Sequence, residues 1–426
     1  MRTKQRIGAA LALLVSTAFA ISYVSNLAQA QTAPSYIFDP SWPKPLPNNW
    51  KIGGITGLAV DSDGNVWALN RPNDLTSIEL RAEPTPPIAV CCVRPPSMIH
   101  FDKAGNVIGS FDATQGHGMD VDDEGFVYLG QDTVRKYDPR TGQVVAEVAR
   151  TPEREGGGRV GLPAPVARTP GQGGRGPVAG FLPRPPPEPA EVARAAAERA
   201  AFREKYPPET PMIVGGLEEI RIMDDDNEMY VADNYLGGRV LVFDLDTLEF
   251  KRGWGAYGKP LAEISTDDAD HDYMANGPMP SDFAGHLTLN VSNDGLVYAA
   301  DRNANRIHVT TTEGEFLKEF ILAPGTGGGG STGGVAFSPD PEQRYLYISD
   351  LTNNKIWFLD RESGELVGQM GSMGDNGGSF YGLHMIAVDP EGNIYTGEVF
   401  AGERVQRFVP ADSPKGELLQ QLAGMQ

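Results

Sequence analysis

Three of the chain's six histidines stand at matching distances from a following turn glycine. Gly125 lies eight residues after His117, Gly295 nine after His286, and Gly392 eight after His384. Neutral imidazole is the commonest protein ligand for a metal ion. Three such nitrogens meeting at one point, with a fourth position left open, are the donor set of a catalytic zinc site. For residues so far apart in sequence to meet, the chain must repeat itself in space. His100, His271 and His308 share no such register and read as ordinary surface or packing residues.

The repeat is present. One phrase recurs: an alternating strand, a turn rich in Asp, Asn and Gly, a second strand ending near an acidic residue, then a third strand. It appears as Gly57-Leu-Ala-Val-Asp-Ser-Asp-Gly-Asn-Val-Trp67 and as His117-Gly-Met-Asp-Val-Asp-Asp-Glu-Gly-Phe-Val-Tyr128. Four further copies pass through Met229-Tyr-Val-Ala-Asp233, Val297-Tyr-Ala-Ala-Asp301, Leu346-Tyr-Ile-Ser-Asp350 and Ile394-Tyr-Thr-Gly-Glu398. Alternation of apolar and polar residues is the period of a half-buried strand. A short fourth strand opened by glycine follows most copies, as at Gly105, Gly142, Gly314 and Gly364. Four strands per copy are the unit of a propeller blade. Six copies predict an all-β, six-bladed β-propeller over residues 31–426. A strand from residues 36–42 is expected to close the ring against the last blade, because an open ring would leave raw edges. In a propeller the first strand of each blade is innermost. The three histidines would therefore ring one mouth of the central channel, from blades 2, 4 and 6.

Three stretches break the period. Residues 72–97 interrupt blade 1, residues 256–285 precede His286, and residues 151–212 form a Pro-, Gly-, Arg- and Ala-rich low-complexity insertion. That composition buries too little apolar surface to offset its ordering entropy, so disorder is expected there. The exception is one helix near Pro189 to Lys205, where Ala, Glu and Arg dominate.

Residues 1–30 read as a signal peptide. Arg2, Lys4 and Arg6 precede an apolar run over residues 7–24, and Ala28-Gln29-Ala30 offers a small-x-small cleavage site. The rival reading is an uncleaved anchor. Cleavage would start the mature chain at Gln31, in the periplasm or outside the cell. Losing those three positive charges takes the formal net charge from −20 to −23. So acidic a chain repels nucleic acid and anionic membranes. The only cysteines, Cys91 and Cys92, are adjacent. They could form a vicinal disulfide in an oxidising compartment or remain two thiols, and their spacing rules out a zinc ribbon.

The repeats resemble NHL repeats. Their arrangement resembles peptidyl-α-hydroxyglycine α-amidating lyase, and more closely a group of bacterial secreted NHL proteins described as lyase-like. The closer likeness is carried by Asp39-Pro-Ser-Trp-Pro-Lys-Pro-Leu-Pro-Asn-Asn-Trp50, Cys91-Cys92 before Pro95-Pro96, Lys251-Arg-Gly-Trp-Gly-Ala-Tyr-Gly258 and Tyr395-Thr-Gly-Glu-Val399. The resemblance implies zinc on His117, His286 and His384. It further implies a catalytic tyrosine at Tyr235, in Asp233-Asn-Tyr-Leu-Gly-Gly-Arg239, and substrate-holding arginines at Arg71 and Arg302. There are departures. Gly382 stands where the family has a methionine, and Leu236 where it has a disulfide cysteine. Met385 stands where the family has a calcium-binding aspartate, which argues against calcium even though the carbonyls of Leu58 and Met119 could line the channel.

These residue types suit a zinc-dependent lyase acting on a small or peptidic substrate bearing a carboxylate, an α-hydroxy-amide or a hydroxy acid. The metal would polarise oxygen, the arginines would grip the carboxylate, and the tyrosine would act as base. A second reading is a non-catalytic propeller with a structural metal that binds a peptide, glycan or protein. A calcium-dependent lactonase-type propeller is disfavoured, because such sites use Glu, Asp and Asn rather than three histidines.

Overall fold

The computed structural model describes residues 33–152, 188–235, 237–399 and 402–424. The expected leader with its cleavage site, residues 153–187 of the insertion and Leu236 lie outside them.

The strand β1 (Tyr36–Phe38) comes first. Blade 1 follows as β2 (Gly54–Val60), β3 (Val66–Arg71), β4 (Met98–Phe101) and β5 (Val107–Phe111). Blade 2 is β6 (Met119–Val121), β7 (Val127–Gly130), β8 (Val134–Asp138) and β9 (Gln143–Glu147). After the helix α1 (Pro189–Lys205), blade 3 is β10 (Leu217–Met223), β11 (Glu228–Asp233), β12 (Arg239–Asp244) and β13 (Phe250–Trp254). Blade 4 is β14 (Leu287–Val291), β15 (Leu296–Asp301), β16 (Arg306–Thr311) and β17 (Phe316–Ile321). Blade 5 is β18 (Val335–Phe337), β19 (Tyr345–Asp350), β20 (Lys355–Asp360) and β21 (Leu366–Met370). Blade 6 is β22 (Leu383–Val388), β23 (Ile394–Glu398) and β24 (Val405–Pro410), and α2 (Pro414–Ala423) ends the described chain. The outer strand of blade 6 is β1, antiparallel to β24 with Tyr36 opposite Pro410 and Phe38 opposite Phe408. The six-bladed propeller and its terminal closure are thus as the repeats predict. Among the described residues no helix is long and apolar enough to cross a membrane.

The Asp-x-x-Gly turn between first and second strands is a local device. Asp61, Asp122 and Asp389 each accept a backbone N–H four residues on, at 2.8, 2.7 and 2.8 Å. Gly64, Gly125 and Gly392 take the positive φ that the turn demands. Apolar packing lies between blades. Six buried clusters are each shared by two neighbours around the ring. Tyr128, Tyr230, Tyr298, Tyr347 and Tyr395 occupy equivalent places on the second strands and are all buried. Their hydroxyls keep polar partners, as with Tyr230 on Glu228 at 2.6 Å.

The acid ending the second strand and the arginine opening the third form an ion pair in blades 3, 4 and 6, buried on both sides in blades 3 and 4 and on the acid's side in blade 6. Arg239 meets Asp233 at 2.9 Å, Arg306 meets Asp301 at 3.0 Å and Arg404 meets Glu398 at 2.7 Å. Each pair grips the loop that feeds the first strand. The acids accept N–H groups from Gly215 (2.7 Å), Gly285 (3.1 Å) and Tyr381 (2.7 Å). The arginines donate to loop carbonyls, among them Met212 (2.8 Å), Asp282 (2.8 Å) and Ser379 (2.8 Å).

The connections into the first strands and those between second and third strands emerge at the same end of the sheets. All three irregular stretches fall on such connections, at the end where the first strands begin. Two of them are tied together: Arg199 and Arg203 of α1 meet Asp268 at 2.6 and 2.8 Å. In the third, Cys91 and Cys92 are joined to each other as a vicinal disulfide.

The buried pairs generate a stability prediction. Arg306→Met strands the fully buried Asp301 carboxylate and should cost roughly 3–5 kcal/mol in urea unfolding. Adding Asp301→Asn should recover part of that loss. A single-variant cost no larger than that of an exposed ion pair would show that the pair does not hold the loop.

Candidate metal centre

His117 precedes β6, His286 precedes β14, and His384 lies on β22. Two of the three meet directly. His117 Nε2 and His384 Nε2 are 3.2 Å apart, with ring centroids separated by 4.8 Å. His286 joins through Glu218, whose carboxylate lies 3.4 Å from His117 Nε2 and 3.4 Å from His286 Nδ1. Arg302, just beyond β15, brings Nη1 to 3.5 Å from His384 Nε2. Arg71, at the end of β3, donates to the Gly116 carbonyl at 3.4 Å and acts electrostatically on both His117 and His384. Five side chains from blades 1, 2, 3, 4 and 6 therefore converge, and His286 reaches them through one carboxylate.

The hydrogen bonds fix the tautomers. His117 Nδ1 lies 2.6 Å from the Glu218 carbonyl, which can only accept, so Nδ1 carries the proton and Nε2 is a lone pair. His384 Nδ1 is 2.8 Å from the Met385 thioether, a weak acceptor, which leaves its Nε2 as a lone pair as well. Two lone pairs face each other at 3.2 Å with a carboxylate beside them, and the Arg302 guanidinium supplies positive charge at the same point. A histidine whose other ring N–H goes to a carbonyl is also the usual posture of a metal ligand. Among the described residues, no three His, Cys, Asp or Glu side chains are disposed to hold an ion as they stand. His286 is the piece that stands off. Its Nδ1 is buried and faces the Glu218 carboxylate at 3.4 Å. Its backbone has φ +54°, a conformation uncommon for a non-glycine residue, held by the Asn234 side chain accepting His286 N–H at 3.2 Å. Imidazole nitrogen and carboxylate oxygen are ligand types that zinc takes.

Charge follows the same pattern. Burial pushes His117 down to about 4, against the pull of Glu218 and helped by Arg71 and Arg302. Burial, His117 and Arg302 hold His384 well below its ordinary value. Burial opposes ionisation of Glu218, but the histidines and Arg302 around it outweigh that and keep it well below the usual carboxylate range. At neutral pH the imidazoles are therefore uncharged and the carboxylate is ionised, which is the state a metal requires of its ligands.

Tyr235 is placed differently. Its hydroxyl donates to the Tyr206 carbonyl at 2.6 Å, beside Phe202 of α1 and under the Arg239 guanidinium. Burial pushes it up to about 12 despite Arg239 and Arg203. Calcium fits poorly. Met385 offers sulfur, and the Met119 carbonyl accepts from Arg221 at 3.3 Å. The remaining histidines serve packing. His100 stacks on Trp67 at 3.7 Å, His271 bonds the Phe283 carbonyl at 2.8 Å, and His308 bonds Glu319 at 3.1 Å.

Glu218 is the central residue that histidine spacing alone misses. A signal for it exists: the turn residue Asn227, left-handed at φ +53°, lies nine residues after Glu218, as Gly295 lies nine after His286. Blade 3 thus places a carboxylate where blade 6 places an imidazole: Glu218 and His384 each follow the leucine opposite the terminal acid, while His286 precedes its own.

No protein-family profile matches the chain, and no curated protein does. Among solved structures, the chain is similar to a structural genomics protein of unknown function from Bacteroides thetaiotaomicron. The likeness is 13% identity over 84% of this chain and 70% of that one, with a TM-score of 0.48.

A pH dependence follows from His117. Between its unfolded value near 6.5 and its folded value of about 4, only the unfolded chain takes up a proton. His117 should therefore lower the stability of metal-free protein by about 3 kcal/mol as pH drops through that window, and the depressed His384 adds to the fall. Urea unfolding across the window should show the slope, and His117→Asn should flatten it. An equal slope in the variant would assign the effect elsewhere.

Proposed function

We propose that the protein is a metal-dependent, lyase-like enzyme of the NHL-propeller type, similar to peptidyl-α-hydroxyglycine α-amidating lyase. Its substrate would be a small carboxylate-bearing α-hydroxy-amide or hydroxy acid, taken at the histidine mouth of the channel. The observation carrying this reading is the pair of opposed Nε2 lone pairs on His117 and His384 beside the ionised Glu218. His117, His384 and Glu218 would hold zinc, with His286 turning in to complete the set. Bound zinc supplies a Lewis acid that polarises a substrate oxygen and eases its deprotonation.

The chain's own groups supply the rest. Arg302 and Arg71 bring positive charge to the same point and can hold a substrate carboxylate, Arg302 through a planar fork. Proton transfer falls less readily to Tyr235, whose hydroxyl is engaged by Tyr206 and whose acidity is suppressed. That observation favours, as a second reading, a propeller in which the metal is structural and the mouth binds a peptide or glycan.

Metal analysis of the mature, secreted or periplasmic protein should find one zinc per chain. His117→Ala should abolish its retention, and Glu218→Gln should weaken it about 10–100-fold. Metal-free wild type, unchanged in stability by His117→Ala, would sink the metal site. With zinc bound, glyoxylate release from an α-hydroxyglycine peptide tests the enzyme, and Arg302→Ala should raise KM. Zinc-loaded protein inert toward a panel of α-hydroxy-amides and hydroxy acids would leave the binding propeller as the function.

A further inference from the structure

Further along the innermost strands, beyond the histidines, oxygen atoms gather between blades 2 and 3. Asp120 lies on β6, and its carboxylate accepts Val121 N–H at 3.0 Å and Ile222 N–H at 2.8 Å. Glu219 lies on β10 and is 1% exposed. Its Oε1 accepts Ile220 N–H at 3.2 Å, and its Oε2 has no hydrogen-bond partner. Into this group comes one cation, Arg221. Its Nη1 donates to Glu219 Oε1 at 2.9 Å, to the Ile220 carbonyl at 2.6 Å and to the Met119 carbonyl of the neighbouring blade at 3.3 Å.

A single nitrogen thus faces one carboxylate and two carbonyls drawn from two blades. All-oxygen sets of that composition are what hard divalent cations take. A buried carboxylate also needs a positive partner whatever its source. We infer that Arg221 is a resident cation of the innermost strands, its guanidinium filling, between blades 2 and 3, an oxygen-lined place that a divalent metal ion could otherwise take. A guanidinium is permanently charged, so the junction is independent of ambient calcium. Its role is positioning: Glu219 follows Glu218 directly, so the same short segment carries both the channel pair and the carboxylate beside the histidines.

The test is thermal unfolding of the full mature chain. It is run in buffer freed of calcium without a chelator, so that any metal at the histidines stays in place, and again with about 1 mM calcium. Wild type should melt at the same temperature in both. Arg221→Ala opens an oxygen-lined space and should melt several degrees lower without calcium, regaining most of the loss when calcium is added. Arg221→Lys keeps a charge and should stay near wild type and insensitive to calcium. A wild-type Tm that rises with calcium would overturn the inference, and this arm stands even if Arg221→Ala does not fold. Arg221→Ala that melts like wild type, or that is weakened without rescue by calcium, would overturn it too. None of these outcomes depends on zinc binding or turnover.

Discussion

The buried acid–arginine pairs are the constraint on which the rest of the structure rests. A propeller's blades are held laterally by apolar packing, and such packing is non-directional. Packing alone does not determine where the loop entering each innermost strand will sit. Asp233–Arg239, Asp301–Arg306 and Glu398–Arg404 do determine it. Each acid takes backbone N–H groups of the incoming loop, and each arginine takes its carbonyls. The residues so fixed come immediately before Glu218, His286 and His384. The polar core of the fold is therefore also the support of the site, and a loosened pair would be felt at the channel mouth before it was felt in the blades.

That mouth gathers imidazoles, a carboxylate and two arginines in one buried place. Two imidazoles are kept neutral by burial, and one carboxylate is kept ionised by its neighbours. His286 is held in a left-handed backbone conformation with its ring nitrogen against Glu218. Strain and unsatisfied polarity concentrated in one place are the usual mark of a site whose ligand restores the balance. The three irregular connections, which all emerge at this end, build up its surroundings.

The fold was legible in the sequence because the repeat carries its own turn chemistry, with Asp and Gly at fixed offsets, and because alternation marks the strands. The closure by residues 36–38 and the helix over Pro189–Lys205 were legible for similarly local reasons. The approach of His117 to His384 was legible because an innermost first strand turns register into position, whereas the offset of His286 was not. Glu218 was not, since a search keyed to one residue type passes over a carboxylate that takes the same place in blade 3. The orientation of Tyr235 was not legible either. It is set by Tyr206, at the far end of an insertion whose docking depends on the Arg199 and Arg203 pairs with Asp268. Arg221 reads in sequence as the polar face of a strand, and only the neighbouring blade reveals its partners.

The pairing of β1 with β24 joins the first described strand of the chain to the last. A ribosome delivers β1 long before β24, so blade 6 cannot be finished until β24 has emerged. The converging groups come from blades 1, 2, 3, 4 and 6, and the last to arrive, His384, belongs to that blade. The complete ligand constellation therefore comes into being only with the closed ring. A chain whose ring has not closed carries these residues without their convergence.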